Sequence, residues 1–132
     1  MAMSNYWFTH LLNHAFGKET YSAPAHYFVA LSTANPLADG SGLAEPVGNN
    51  YSRVSTEASD WSEVSSFATE NLADVEFPAA SGSWGTLTHF AIFDASTNGN
   101  LLFFGTLSEG IAVGEDQAPL FYVGNLVCSM GA

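Results

Sequence analysis

Short apolar runs alternate with turn-forming residues along the chain, and one pair of runs organises the rest. Thr88-His89-Phe90-Ala91-Ile92-Phe93 and Leu101-Leu102-Phe103-Phe104 flank the polar segment Asp94-Ala95-Ser96-Thr97-Asn98-Gly99-Asn100. Asn-Gly between two apolar runs is a strong reversal signal, because both residues accept the positive φ that tight hairpins need. The pattern predicts a central β-hairpin over about residues 87–107. Phe77-Pro78 and Gly82-Ser83-Trp84-Gly85 read as the corner that feeds it.

Upstream, the period changes. Trp7, Leu11, Leu12, Ala15 and Phe16 recur at helical spacing behind Ser4, a good N-cap, and ahead of Gly17, a good residue to end a helix. One amphipathic helix over about residues 4–17 is expected, with its apolar stripe packed on its own domain or, as the alternative, on a neighbouring subunit. His26–Thr33 alternates with apolar residues on both faces and predicts a central strand. Asn35-Pro36, Asp39-Gly40-Ser41-Gly42, Glu45-Pro46 and Gly48-Asn49-Asn50 then make a long loop over about 35–50, of the kind that carries contacts. Further strands are predicted at Tyr51–Ser55, Leu72–Phe77, Pro119–Val123 and Leu126–Met130. Glu109-Gly110 and Gly114-Glu115-Asp116 bracket a short segment, Ile111–Val113. The sum is an all-β fold: an antiparallel β-sandwich of about seven to eight strands with one short N-terminal α-helix, a single domain over 1–132.

Charge narrows the function classes. Two basic residues stand against 13 acidic ones, net −11, so nucleic acid and anionic membranes are excluded as partners: phosphate contact needs Lys and Arg. Charged residues are only 11% of the chain, against roughly 25% in ordinary soluble domains, so the surface is expected to be partly covered by neighbours. That points to a subunit of an assembly, with copies of itself as partners. No apolar run reaches membrane-spanning length, and no basic start with an apolar run behind it suggests a secretory signal. The one sequon, Asn50-Tyr51-Ser52, is read as chance, and the lone Cys128 as a small buried hydrophobe.

Candidate chemistry is sparse. There is no nucleophile elbow, phosphate loop or dinucleotide fingerprint. His10 and His14 share a helix face, but no Glu follows His10 as a zinc protease would require. His26 and His89 sit in strand patterns. Asp39 and Glu45 with nearby loop oxygens lack the spacing of a known calcium loop. No catalytic residue, metal or cofactor is therefore assigned, and the chain is read as non-enzymatic. Arg53 is one of only two cations in an acidic chain and must meet a carboxylate: Asp94, Glu45 or an acid of a neighbouring subunit. Arg53–Asp94 is taken as the structural pair.

The blocks Tyr27–Pro36, Asp39–Pro46 and Tyr51-Ser52-Arg53, followed by Phe77-Pro78, Trp84-Gly85-Thr86, Thr88–Ala95 and Gly99–Gly105, resemble a family of small virion proteins of tailed bacteriophages. Members are commonly labelled tail-fibre or minor structural proteins. The likeness covers nearly the whole chain, and its motifs are turn and core signatures. Asn50 stands where the family usually has Gly, and the end Cys128-Ser129-Met130-Gly131-Ala132 departs from the family's usual alternating terminus. The resemblance implies a repeated tail subunit, in the fibre or tail tip, located in the virion and assembled in the bacterial cytoplasm beside other phage proteins. A capsid cement protein, bound to the major capsid protein, is the alternative. Host-glycan binding through Trp61, Tyr51 and the loop is a third reading. Contact residues are expected on the helix and loop: Trp7, Leu11, Pro36, Leu43, Pro46 and Tyr51.

Overall fold

A computed structural model describes residues 2–129. Among these, the elements in chain order are β1 (Ala2–Met3), α1 (Asn5–Ala15), β2 (Tyr27–Ser32), β3 (Val54–Thr56), β4 (Ala68–Glu70), β5 (Val75–Glu76), β6 (Gly85–Phe93), β7 (Leu101–Val113), β8 (Leu120–Phe121) and β9 (Val127–Ser129). One five-stranded sheet has the order β1-β7-β6-β2-β3, and β4–β9 and β5–β8 are two-stranded ribbons. Every pairing is antiparallel. The fold is the expected antiparallel sandwich with one short helix, at nine strands instead of seven or eight.

The β6–β7 hairpin is the spine, and it is longer than its sequence signal. β7 runs unbroken to Val113, so Glu109-Gly110 lies inside the strand and is not a turn. The register shifts between Leu87 and His89, a bulge past which Gly85–Leu87 pair with Ile111–Val113. Gly110 fits there because a Cβ would approach the Thr86 methyl to 3.3 Å. Elsewhere the strands are shorter than the sequence suggests. The segment 51–55 contributes only Val54 and Ser55 to β3, and 72–77 only Val75 and Glu76 to β5. The predicted last strand ends at Ser129, and Met130 lies outside the described residues.

Strand alternation sorts the sheet into two faces. Val29 pairs with Ile92, Leu31 with Phe90, and Ile92 with Phe103, placing all five on one face. The ribbons close over that face with Val75, Phe121 and, in the adjoining segments, Phe77 and Leu126. Phe121 meets both Phe77 and Phe90 edge to face, at 6.4 and 6.5 Å between ring centres. Phe77 and Phe90, buried almost completely, each contribute about 1.5–3 kcal/mol relative to exposure, and half-buried Phe121 less. One polar residue is sealed among them. Asn71, 1% exposed, donates to the Ala73 and Tyr122 carbonyls and accepts the Leu126 N–H.

The opposite face carries Ala30, Ala91, Phe93 and Leu101, with Leu43 of the long loop packed on them. The loop is fastened down: Thr33 N–H donates to the Ala44 carbonyl, Ala44 N–H to Ser32 Oγ, and Asn5 N–H to the Ala38 carbonyl. Pro36 is buried beneath it. Gly42 permits the crossing, since a Cβ there would stand 2.1 Å from the Asn35 carbonyl oxygen.

Helix α1 is capped at both ends as its sequence predicts. Ser4 Oγ accepts the Trp7 N–H at 3.0 Å. Gly17, at φ 72°, donates to the His14 carbonyl, and Lys18 N–H reaches the Asn13 carbonyl, the paired bonds of a Schellman ending. The expected apolar stripe, however, is split. Tyr6 and Trp7 pack on the core and Leu11 is half-buried, whereas Leu12, Ala15 and Phe16 are exposed together with Phe8. The helix meets the sheet through one narrow strip, too narrow to cover an apolar arc this wide.

Burial also fixes a pH response. The Cys128 thiol is pushed up from 9.0 to about 12 by burial, and the Tyr51 phenol is raised by burial and by the Glu45 carboxylate beside it. Both groups hold their protons more tightly folded than unfolded, so their contribution is intact below pH 9 and is lost as pH rises through the folded values. Urea unfolding is expected to give unchanged stability at pH 7 and 8. By pH 10.5 a loss of about 2 kcal/mol is expected from Cys128, and Cys128→Ala should remove that part of the slope.

Candidate functional site

The densest polar constellation on the protein is centred on Arg53, where β3 begins. The guanidinium grips Glu45 in a fork, Nη2 to Oε1 at 2.6 Å and Nε to Oε2 at 3.0 Å. Nη1 donates to the Ala95 and Asn98 carbonyls, each at 2.8 Å, and Cζ lies 3.8 Å over the Phe93 ring. The Arg53 side chain is only 5% exposed and that of Glu45 18%. Tyr51 adds a third partner: its hydroxyl donates to Glu45 Oε2 at 2.6 Å and accepts the Leu31 N–H at 3.1 Å. One cation thus ties the long loop, the hairpin turn and β3 together, and through Tyr51 it reaches β2.

The expected Arg53–Asp94 pair does not form. Asp94 closes its own turn, accepting the Asn100 N–H at 2.7 Å and the Asn100 side-chain amide at 2.9 Å. That turn needs the carboxylate, because Gly99 at φ 74° leaves the Asn100 N–H pointing back at Asp94. Arg53 instead takes carbonyls from the same turn and finds its carboxylate in the loop.

The six residues expected on a contact surface divide. Pro36 is buried, and Tyr51 stacks in an aromatic cluster with Phe77 and Trp84. Trp7 packs on the core and Leu11 is half-buried. Leu43 and Pro46 are half-buried and, with Tyr51, line an open groove of about 870 Å³ between the start of α1, the loop and the hairpin turn. Trp61, named for glycan stacking, is half-buried with its indole N–H on Thr56 Oγ1. Sequence reasoning passed over Phe8 and placed Leu12 and Phe16 in the stripe favoured to pack on the domain, yet the three stand at 52%, 45% and 73% exposure. Their i, i+4, i+8 spacing marks a second stripe, legible as such only once Trp7 is known to face inward.

The remaining candidates are occupied by the fold. His10 Nδ1 lies 3.0 Å from Glu19, and its ring sits between Tyr6 and Tyr21. His14 Nδ1 accepts the Tyr21 N–H. The Asn13 amide, followed by His10, holds the Glu19 carboxyl below its usual range. Asp39 accepts the Ser41 N–H, and Glu45 is turned to Arg53. Among the described residues no three side chains converge as metal ligands. Asn49 and Asn50 both have positive φ and donate to the Ser83 and Ala79 carbonyls, so Asn50 fills a glycine-like position while adding a bond.

These features define a β-sandwich whose charged centre fastens loops to a sheet, as in a structural protein. The family of the Podophage GP4 fiber I protein gp80 matches residues 2–129 of the chain. The chain belongs to that family, a fibre-type structural family of bacteriophages. Among curated proteins, none matches the sequence.

Proposed function

We propose that the protein is a non-enzymatic, repeated subunit of a phage tail fibre, built from copies of itself and joined to other virion proteins. The match to a podophage fibre family across residues 2–129 carries this reading. The surface supports it. The stripe Phe8, Leu12 and Phe16 lies on a helix that has no acidic residue. In a chain of net charge −11, such a helix is a place where two copies can meet without like-charge repulsion. Three side chains make a small contact beside the roughly 1,200 Å² of a stable interface, so it works by repetition within an assembly. Leu43 and Pro46, on the groove wall, are the second contact.

Two measurements test this. The copy number of the polypeptide in purified virions is expected to be a few to a few dozen; near-equality with the major capsid protein would assign it to the head instead. Leu12→Cys is expected to give a disulfide-linked dimer on mild oxidation, with half-buried Cys128, its thiol pushed up to about 12, as the less reactive internal control. A Leu12→Cys protein that stays monomeric at high concentration under oxidant would remove the helix from the self-contact.

A further inference from the structure

Residues Val64 to Ala68 form a tight hairpin that contradicts its own turn chemistry. Ser65 and Ala68 exchange both backbone hydrogen bonds, at 2.9 and 3.1 Å, so the loop is Ser66-Phe67. Their φ angles are 52° and 66°, the double left-handed conformation of a type I′ turn. Asn-Gly is the favoured occupant of such a turn, and a bulky aromatic in this region is an outlier held against its preference. Among the described residues, little packs on the ring to offset that cost. Phe67 is 82% exposed and Val64, on the same hairpin, 72%. The sequence therefore holds a strained aromatic in water at the tip of a ribbon, where Gly or Asn would be better on stability alone.

Charge identifies what would cover it. From residue 54 onward the sequence has no Lys or Arg and ten acids. Exposed Glu63 and Glu70 lie on the two arms of this hairpin, whose strands are joined by the Ser62 N–H to the Glu70 carbonyl. A second copy brought tip to tip would set acids against acids. A complementary surface is apolar at its centre and basic at its rim.

We propose that Phe67 and Val64 are a docking knob for a different protein of the particle, one with an apolar pocket rimmed by lysine or arginine. This rests on the virion reading above. Strain at a contact residue then has its reason, since the rigid turn presents the aromatic ring already positioned.

The test supplies wild-type, Phe67→Gly, Phe67→Asn and Glu63→Lys/Glu70→Lys proteins in trans during infection, and counts copies per purified particle by mass spectrometry. Thermal midpoints and solution masses are measured on the same proteins. Phe67→Gly and Phe67→Asn are expected to hold or raise the midpoint while particle content falls at least tenfold. Charge reversal is expected to lower content similarly. Wild-type content in the Phe67 variants, or lowered midpoints in both, would overturn the proposal, the latter by revealing a packing role. Wild-type content after charge reversal would overturn the basic partner. A wild-type dimer that Phe67→Gly makes monomeric would assign the knob to a second copy and overturn it too. Wild-type protein missing from particles would overturn the virion reading itself.

Discussion

Arg53→Ala is expected to lower stability by about 3 kcal/mol, a fall in melting temperature on the order of 10 °C. The guanidinium is nearly sealed, and its removal leaves the Glu45 carboxylate, 18% exposed, facing a single hydroxyl donor from Tyr51. Breaking a buried ion pair from one side is expensive because the remaining charge has lost its solvent and its partner together. The Ala95 and Asn98 carbonyls lose their donor as well, but the Asn98 side of that turn is open to water and adds little. A double-mutant cycle assigns the partner. Arg53→Ala with Glu45→Ala should cost clearly less than the sum of the single changes, since each single change strands the other group. The same cycle with Asp94→Ala should show weaker coupling, arising only through the shared turn. Equal coupling to both carboxylates, or a stable Arg53→Ala protein, would refute the role given to Arg53.

The central hairpin was legible because its signals agree: Asn-Gly within a polar segment and an apolar run on each side. Helix α1 was legible for the same reason, with Ser4 and Gly17 at its ends. Its facing was not. Apolar residues at 7, 8, 11, 12, 15 and 16 cover more than one stripe, and only the width of the sheet contact decides which of them is covered. The partner of Arg53 was a choice between a near and a distant carboxylate, settled by a requirement local to the turn: Asp94 is already used by Asn100. The second layer was the hardest part to read. β4 and β9 are three residues each and β5 and β8 two, too short to show a period. What holds them in place is a set of hydrogen bonds around Asn71, in a polar stretch that looks like any connecting loop.

Asn71→Asp is the sharpest test of that layer, and a loss of more than about 3 kcal/mol is expected at pH 7. The substitution preserves shape, so no cavity term enters. What changes is the donor pattern. The Asn71 amide nitrogen donates to the Ala73 carbonyl at 2.9 Å and the Tyr122 carbonyl at 3.1 Å. In aspartate that nitrogen becomes a second acceptor oxygen, set against two carbonyl oxygens in a position 1% exposed. Only the Leu126 N–H, at 2.9 Å from Oδ1, would still be satisfied. The new carboxyl should resist ionisation, because burial without a cation favours its neutral form. A protonated carboxyl can donate to one of the two carbonyls. Its pKa is therefore raised in the folded state, and the sign of the pH response follows: Asn71→Asp should be closest to wild type below pH 4 and lose stability as pH rises through the folded value. Asn71 also joins both ribbons, since its backbone carbonyl accepts the Gly124 N–H and its N–H reaches the Leu126 carbonyl. Damage should therefore spread to β8 and β9 while the β6–β7 hairpin keeps its protection. Amide hydrogen exchange resolves the two regions. Uniform loss of protection across the sheet, or an Asn71→Asp protein as stable at pH 7 as the wild type, would refute this account of the second layer.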